Sequence, residues 1–231
     1  MDHISEVELL TISPTIKSQP KGKPSAKPQN WMRDRLGFGG VASTKALKTF
    51  DRSKQPEAYD FALSFIDCPR SVVFWGPNGV GKTHLALAIG NWLLDLRGTA
   101  NAPVLFISFD DALRQIRKTF QEGYEGQGEW HYIERWTTIP VLILDEVGQA
   151  GREKPPGDGE FTRRIGYDII DGRYRKGLPI VLTTNKSPNE LCEWITQSAV
   201  DRLMEMGTFI EMEGRSWRQG RRRISSSIKS G

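Results

Sequence analysis

One eight-residue segment constrains the fold of this chain more than any other: Gly76-Pro77-Asn78-Gly79-Val80-Gly81-Lys82-Thr83 fits the phosphate-loop pattern G-x-x-x-x-G-K-[ST]. The apolar run Ser71–Trp75 predicts a short buried strand before it, and a helix is predicted from His84 to Leu96 after it. Glycines let backbone N–H groups curl around a phosphate, and the positive end of the following helix faces the anion. We therefore expect a nucleoside triphosphate ligand, with Lys82 reaching its β- and γ-phosphates and Thr83 ligating Mg²⁺.

A second apolar run, residues 141–144, ends in the acids Asp145 and Glu146. Such a run predicts a strand buried on both faces, and ligands of parallel sheets bind at the carboxyl ends of the strands. Asp145 would hold Mg²⁺, and Glu146 would polarise the water that attacks the γ-phosphate. The alternative is a strand that merely ends in solvated acids.

Two further polar residues are candidates on weaker grounds. Asn185 follows the predicted strand 180–184, where its amide would hydrogen-bond the γ-phosphate or the attacking water, or would simply end the strand as a turn residue. Thr183 and Thr184 are weaker candidates still. Arg202 is predicted near the start of a helix, where it would reach a neighbouring subunit's γ-phosphate or form a surface salt bridge with Glu205 or Asp201.

Predicted strands and helices alternate along the chain, the strands at 71–75, 103–109, 141–144, 180–184 and 209–212, and the main helices at 57–67, 84–96, 110–120, 130–136 and 161–175. We expect Asp110 or Asp111 to cap the third of these helices, and residues 187–190 to form a capping box. The alternation predicts an α/β fold of the P-loop NTPase type, with three α/β/α layers and a mostly parallel central sheet.

The chain is predicted to have three parts. Residues 1–44 are expected to form a flexible N-terminal extension with a Pro/Lys-rich linker, within which Trp31, Leu36 and Phe38 indicate a segment that packs on the domain. The extent of the resemblance described below implies an ATPase domain over residues 45–218, which leaves residues 219–231 as a basic Ser/Arg-rich tail. Residues 214–231 and 1–30 carry +6 and +1 of the net charge of +4, which leaves −3 for residues 31–213. The basic character is therefore a property of the tail.

Composition also excludes several classes of protein. No apolar run approaches the length of a membrane span, and the N-terminus lacks the pattern of a signal peptide, so we expect a cytoplasmic protein that does not bind membranes. Cys68 and Cys192 are far apart without further ligands at metal-binding spacing, which predicts buried thiols and no zinc site.

Taken together, the segments resemble the AAA+ ATPases that load bacterial replicative helicases, the DnaC and DnaI type, and are similar to the related IstB ATPases of transposition. The matching segments are residues 49–51, 76–83, 141–148, 169–174, 183–185, 200–203 and 214–218. The resemblance implies Walker A residues Lys82 and Thr83, Walker B residues Asp145 and Glu146, and a sensor 1 residue Asn185. It also implies that Arg202 is an arginine finger and that Arg218 is a sensor 2 arginine.

The predicted site combines these inferences. The catalytic residues are expected to be Lys82, Glu146, Asn185 and Arg202. The predicted nucleotide-binding residues are Gly76, Pro77, Asn78, Gly79, Val80, Gly81, Lys82, Thr83, His84, Asp145 and Arg218. The metal ligands are expected to be Thr83 and Asp145, and the cofactors ATP and Mg²⁺.

The resemblance further implies a weak ATPase that acts as a helicase loader in DNA replication, self-associates with ATP, and binds a hexameric replicative helicase and single-stranded DNA. Residues 1–44 are expected to hold the helicase contact. The candidate DNA-binding residues form three groups: a helix group of Arg114, Arg117, Lys118, Phe120 and Tyr124, a loop group of Arg152 and Lys154, and a tail group of Arg221, Arg222 and Arg223. The alternatives are that the helix group is a solvated helix face, the loop group part of a mobile loop, and the tail group a solubilising end.

Two competing functions remain open. One is an IstB-like ATPase that assists DNA transposition. The other is a P-loop kinase of a small substrate, which explains the Gly-Lys-Thr loop but leaves Glu146, Asn185 and Arg202 without a role.

Overall fold

A computed structural model describes residues 30–99, 103–121, 128–148 and 158–216. They form a sheet of five parallel strands in the order β2-β3-β4-β1-β5. The strands are β1 (Ser71–Trp75), β2 (Val104–Ser108), β3 (Val141–Val147), β4 (Ile180–Thr184) and β5 (Gly207–Glu211). The predicted α/β fold with a parallel central sheet is confirmed.

The helices follow the strands in alternation, as expected for parallel strands joined by crossovers. They are α1 (Asn30–Arg35), α2 (Pro56–Ser64), α3 (Lys82–Arg97), α4 (Phe109–Gln121), α5 (Glu129–Thr138), α6 (Asp158–Lys176), α7 (Pro188–Leu191) and α8 (Gln197–Met206). Helix α3 packs against α2 and the strands, while α4, α5, α6 and α8 contact one another in sequence. All five residues of β4 are buried, because side chains on both faces of this strand are covered.

The segment before β1 packs against the domain. The backbone N–H of Phe106 in the edge strand β2 donates to the carbonyl of Leu36, at 2.9 Å. Leu36 and Phe38 are buried in the core, as their apolar character predicts. A Cβ atom at Gly90 of α3 would clash with the Phe38 ring, so a glycine lets this segment approach the helix closely.

Several local predictions differ from the structure. Helix α4 is capped by Ser108, whose hydroxyl accepts from the backbone N–H of Asp111, and not by Asp110 or Asp111. Helix α8 begins at Gln197 behind a Thr196 cap, so Arg202 lies in its middle. The prediction of two buried thiols is wrong, since Cys68 is exposed and Cys192 is partly exposed. The capping box of Ser187 and Glu190 is confirmed.

Within the described ranges, no helix is both long and apolar enough to cross a membrane. Residues 1–29 of the predicted extension and residues 217–231, including the predicted tail, lie outside the part of the chain that the structure describes.

Candidate functional site

The phosphate-loop segment connects β1 to α3 in a conformation that requires glycine. Gly81 has φ +111°, and a Cβ atom there would lie 2.6 Å from the Phe50 ring. Gly76 has φ +130°, and a Cβ atom there would lie 2.3 Å from the carbonyl oxygen of Met212. L-residues rarely adopt such φ values, so glycine permits both the turn and the close neighbours. The loop therefore leads directly into the N-terminus of α3, where backbone N–H groups remain available to an anion.

Lys82 is the first residue of α3 and is buried. Its ammonium group donates to the carbonyl oxygens of Gly76 and Pro77, at 2.7 Å each. These bonds hold the ammonium inside the loop, where its positive charge faces the position of a bound phosphate.

Asp145 lies beneath the loop, at the carboxyl end of β3. Its Oδ1 atom accepts hydrogen bonds from the hydroxyls of Thr83, at 2.8 Å, and Thr183, at 2.5 Å. Burial raises the pKa of Asp145 to about 6, although both hydroxyl bonds act in the opposite direction. A buried carboxylate next to a threonine hydroxyl fits Mg²⁺, which is commonly bound by one or two protein oxygens together with phosphate oxygens.

Binding of Mg²⁺ by few protein oxygens also agrees with the small number of metal-binding side chains near Asp145. The described ranges contain no group of three or more His, Cys, Asp or Glu side chains that would hold a metal by themselves. A Mg²⁺ ion at Thr83 and Asp145 would therefore complete its coordination with nucleotide phosphates and water.

Glu146 has a strained backbone. Its φ is +59°, and it is the one non-glycine residue with positive φ in the described ranges. The β3–β4 register shifts between Leu144 and Val147, so the strand pairing is interrupted at this point. The backbone N–H of Glu146 donates instead to the Thr183 hydroxyl, at 3.0 Å. The side chain of Glu146 is exposed and lines the cleft above Asp145.

Asn185 follows β4 and lines the same cleft. Its side-chain oxygen is buried without a hydrogen-bond partner among the described residues. A buried polar atom without a partner costs free energy, so it is available to a ligand or a water molecule in the cleft. The structure thus brings Lys82, Thr83, Glu146 and Asn185 to one edge of the sheet, as predicted from sequence.

The cleft has a volume of about 1520 Å³. Part of its lining was not predicted from sequence: the segment 41–50, Gln55 and residues 213–216. Gln55 is buried and donates to the carbonyl of Glu213, at 2.5 Å, which links two of these parts. The chain before β1 and the chain after β5 therefore meet at the phosphate loop.

Asn91 holds the segment 41–50 in place. Its side-chain amide donates to the carbonyls of Ala42 and Lys45, at 2.8 Å each, and accepts from Arg33, at 2.9 Å. The residue is buried, and it is the one polar residue in the otherwise apolar stretch Leu85–Leu94 of helix α3. A polar residue inside an apolar helix is the signal that could have identified it from the sequence.

His84 is positioned in the first turn of α3. Its Nε2 atom lies 3.1 Å from the Thr49 hydroxyl, and its ring contacts Phe50 edge-on. Burial lowers the pKa of His84, so the neutral ring is favoured. It lines the cleft between the phosphate loop and the segment 41–50.

Arg202 lies apart from the residues that line this cleft. Its guanidinium packs over the rings of Tyr167 and Tyr174, at 4.7 and 5.6 Å. It also lies 2.5 Å from a carboxylate oxygen of Asp171, although the two atoms are not aligned as a hydrogen bond. The salt-bridge alternative from sequence named the wrong partners, because the acid belongs to α6 and not to α8. Arg218 lies outside the described residues.

Three of the four candidate DNA-binding residues of α4 contact other side chains in the described part of the domain. Arg114 pairs with Asp111 at 2.7 Å, and the Arg117 guanidinium lies 5.2 Å from the centre of the Phe161 ring. Phe120 is 62% exposed and meets Phe161 edge-on, while Lys118 is exposed. The other candidates, Tyr124, Arg152, Lys154, Arg221, Arg222 and Arg223, lie outside the described residues.

Comparisons with known proteins agree with this geometry. A family model described as IstB-like ATP binding protein matches residues 48–225. A protein of insertion sequence IS5376 from Geobacillus stearothermophilus, named for ATP binding, is 31% identical over 191 residues, which cover 78% of this chain and 70% of that protein. The replicative helicase loader DnaC of Escherichia coli K12 is 30% identical over 133 residues, which cover 58% of this chain and 49% of the loader.

Among solved structures, DnaI has the same fold, with a TM-score of 0.58 at 21% identity over 80% of this chain and 92% of that chain. The resemblance to DnaC, DnaI and IstB ATPases that the sequence indicated is confirmed.

Proposed function

This chain belongs to the family of IstB-like ATP-binding proteins, and from that premise we propose that it hydrolyses ATP in the cleft above Asp145. The observation that carries the proposal is the meeting of Thr83 and Asp145, 2.8 Å apart, beneath a loop whose lysine is also in place. A kinase of a small substrate explains the site as a whole less well, because it gives no role to Glu146 or to the unpartnered oxygen of Asn185.

Each part of the site has a proposed role. The backbone N–H groups of residues 78–84 and the Lys82 ammonium bind the phosphates, while Thr83 and Asp145 hold Mg²⁺. The metal, when bound, neutralises charge on the phosphate oxygens. The cleft side chains of segment 41–50, with Gln55 and His84, surround the rest of the nucleotide.

Hydrolysis requires a positioned water. Glu146 lines the cleft with an exposed carboxylate and accepts a proton from the attacking water. Asn185 orients that water or the γ-phosphate through its side-chain amide.

Self-association completes the proposed site. Arg202 is held on the α6–α8 surface by Asp171 and two tyrosine rings, away from its own cleft, so it would act on the nucleotide of a neighbouring copy. A guanidinium supplied in this way stabilises charge on the phosphate in the transition state. ATP hydrolysis by an isolated copy would consequently be weak.

The biological role that these observations favour is assistance of DNA transposition. The insertion-sequence relative matches 78% of this chain, whereas DnaC matches 58%. Loading of a replicative helicase onto single-stranded DNA is the second candidate, and the match to DnaC supports it. In either role, residues 1–44 are the proposed contact for the protein partner, the domain is proposed to span residues 45–218, and the basic tail adds affinity for DNA.

Co-purification from the native host separates the two roles. A transposase recovered with the tagged chain supports the first role, and a hexameric helicase supports the second. A variant that lacks residues 1–44 should lose the partner in either case, and partner binding that survives the deletion would assign the contact to residues 45–218.

The ATPase proposal is tested with three substitutions. Glu146→Gln should bind ATP but hydrolyse it at least about 100-fold more slowly, because the carboxylate that accepts the proton is lost. Arg202→Ala should lose turnover but keep nucleotide affinity, and mixing it with Lys82→Ala should restore part of the activity because each variant supplies what the other lacks. Phosphate release, with and without single-stranded DNA, measures these rates. Unchanged turnover in Glu146→Gln, or no recovery at any mixing ratio, would contradict the mechanism.

A further inference from the structure

The hydroxyl of Thr183 connects the two acids of the site. It donates to Oδ1 of Asp145, at 2.5 Å, and accepts from the backbone N–H of Glu146, at 3.0 Å. Thr183 is 1% exposed, so water does not compete for either bond. A single buried hydroxyl therefore uses its donor and an acceptor on two consecutive residues of β3.

The bond to Glu146 replaces an interaction of the sheet. At the register shift between Leu144 and Val147, the N–H of Glu146 binds the side chain of a β4 residue rather than a strand carbonyl. A non-glycine residue at φ +59° is strained by about 1–2 kcal/mol, and such strain persists only where the surroundings impose it. Thr183 provides the hydrogen bond that holds Glu146 in this conformation.

Backbone conformation determines where the Glu146 side chain goes. In a regular strand, consecutive side chains point to opposite faces. The left-handed backbone at Glu146 departs from the strand conformation, and in this conformation its carboxylate is exposed in the cleft while Asp145 stays buried.

From this geometry we propose that Thr183 is a positioning residue, which orients the Glu146 carboxylate for hydrolysis. Its hydroxyl does so by binding Asp145 and by holding the backbone of Glu146 in the left-handed conformation. The inference rests on the proposed ATPase function. Thr183 itself does not donate to or accept from the reacting atoms in this scheme, and it acts through Glu146.

Thr137 of helix α5 is a matched control outside the cleft. It is 4% exposed, and its hydroxyl donates to the carbonyl of Glu134, at 3.2 Å, and accepts from the ammonium of Lys176, at 3.1 Å. Thr137→Val therefore removes a buried hydroxyl with two bonds, but neither of those bonds involves a residue of the site.

The first test compares Thr183→Val, Thr183→Ser and Thr137→Val by ATP turnover and by titration with a fluorescent ATP analogue, both at saturating Mg²⁺. Thr183→Val should lower kcat by about 10- to 100-fold with nucleotide affinity within about threefold of the wild type. Thr183→Ser keeps the hydroxyl and should retain most of kcat, as should Thr137→Val. Thr183→Ala replaces the valine variant if that protein does not fold. Unchanged kcat in Thr183→Val, or an equal loss in either control, would overturn the inference.

The second test needs no nucleotide. Glu146→Gly should raise the Tm of the wild-type chain by about 1–3 °C, because glycine releases the strain of about 1–2 kcal/mol at φ +59°, while its greater freedom in the unfolded chain costs about 0.5–1 kcal/mol. The same substitution should raise Tm less in the Thr183→Val background, where the backbone is free to relax. Equal shifts in both backgrounds would overturn the inference.

The two tests also separate this inference from the proposed function. A wild-type chain that does not hydrolyse ATP refutes both proposals. Normal turnover with an unaffected Thr183→Val variant refutes only the role of Thr183.

Discussion

Replacing Asp145 by asparagine should stabilise the protein in the absence of Mg²⁺. Asparagine keeps the Oδ1 acceptor for the hydroxyls of Thr83 and Thr183 but carries no charge. The carboxylate of Asp145 is buried, and burial raises its pKa from 3.8 to about 6. Each pKa unit corresponds to about 1.4 kcal/mol, so ionisation of Asp145 costs the folded state about 3 kcal/mol.

The sign of the effect depends on pH. Well below pH 3.8, Asp145 is protonated in both the folded and the unfolded chain and costs nothing. Between pH 4 and 6 the folded state binds more protons than the unfolded state, so stability falls as the pH rises. Above pH 6 the full cost is present. At pH 5 roughly half of it remains, which makes the pH dependence of the Asp145→Asn effect a specific signature.

Urea denaturation in EDTA at pH 5 and pH 8 measures this difference. Asp145→Asn should exceed the wild type by about 2–3 kcal/mol in the free energy of unfolding at pH 8, and by about half as much at pH 5. Glu146→Gln, at an exposed side chain, is the control and should show no comparable gain. With Mg²⁺ and ATP the order should reverse, because only the wild type gains from the metal. A variant no more stable than the wild type at pH 8, or a gap that is equal at both pH values, would refute the reasoning.

Two other predictions concern buried polar side chains. Asn91→Ala should weaken binding of a fluorescent ATP analogue about tenfold and speed hydrogen exchange in residues 41–50, because this segment loses its two bonds to Asn91. Unchanged hydrogen exchange would exclude the anchoring role of Asn91. Arg173→Met should lower the free energy of unfolding by about 1–3 kcal/mol in urea, since Arg173 is fully buried and donates to four backbone carbonyls, which would lose their donor. The loss is smaller than four bonds alone would give, because burial lowers the pKa of Arg173 to about 9 and the methionine variant escapes that cost. A variant at least as stable as the wild type would contradict this account.

Much of the fold could be predicted because its signals are local. Strands β1 and β4 begin and end at the predicted residues, since continuous apolar runs between turn residues mark buried strands. The phosphate loop and the two acids at the end of β3 were likewise visible, because a bound phosphate requires glycines, a lysine and a helix start in one fixed order. Parallel strands then place the ends of β1 and β3 at the same edge of the sheet, but that β4 lies between them is known only from the structure.

Other features depend on residues that are far apart in the sequence. The sequence shows Asn91 and Arg173 as polar residues in helices, but only the structure shows that their partners are the backbone of residue 42 and the carbonyls around residues 136–140. The partner of Arg202 was predicted on its own helix and lies instead on α6, because the packing of α6 against α8 brings Asp171 closer than any residue one turn away.

The sequence by itself therefore determined the class of fold, the loop that faces a phosphate, and the chemical character of the residues at the edge of the sheet. The tertiary structure alone decided how these residues are held: the left-handed backbone of Glu146, its bond to Thr183, and the closing of the cleft by segment 41–50. The physical reason is that hydrophobic periodicity and glycine conformation act over a few neighbouring residues. A buried hydrogen bond instead depends on which distant groups the tertiary packing brings together and shields from water.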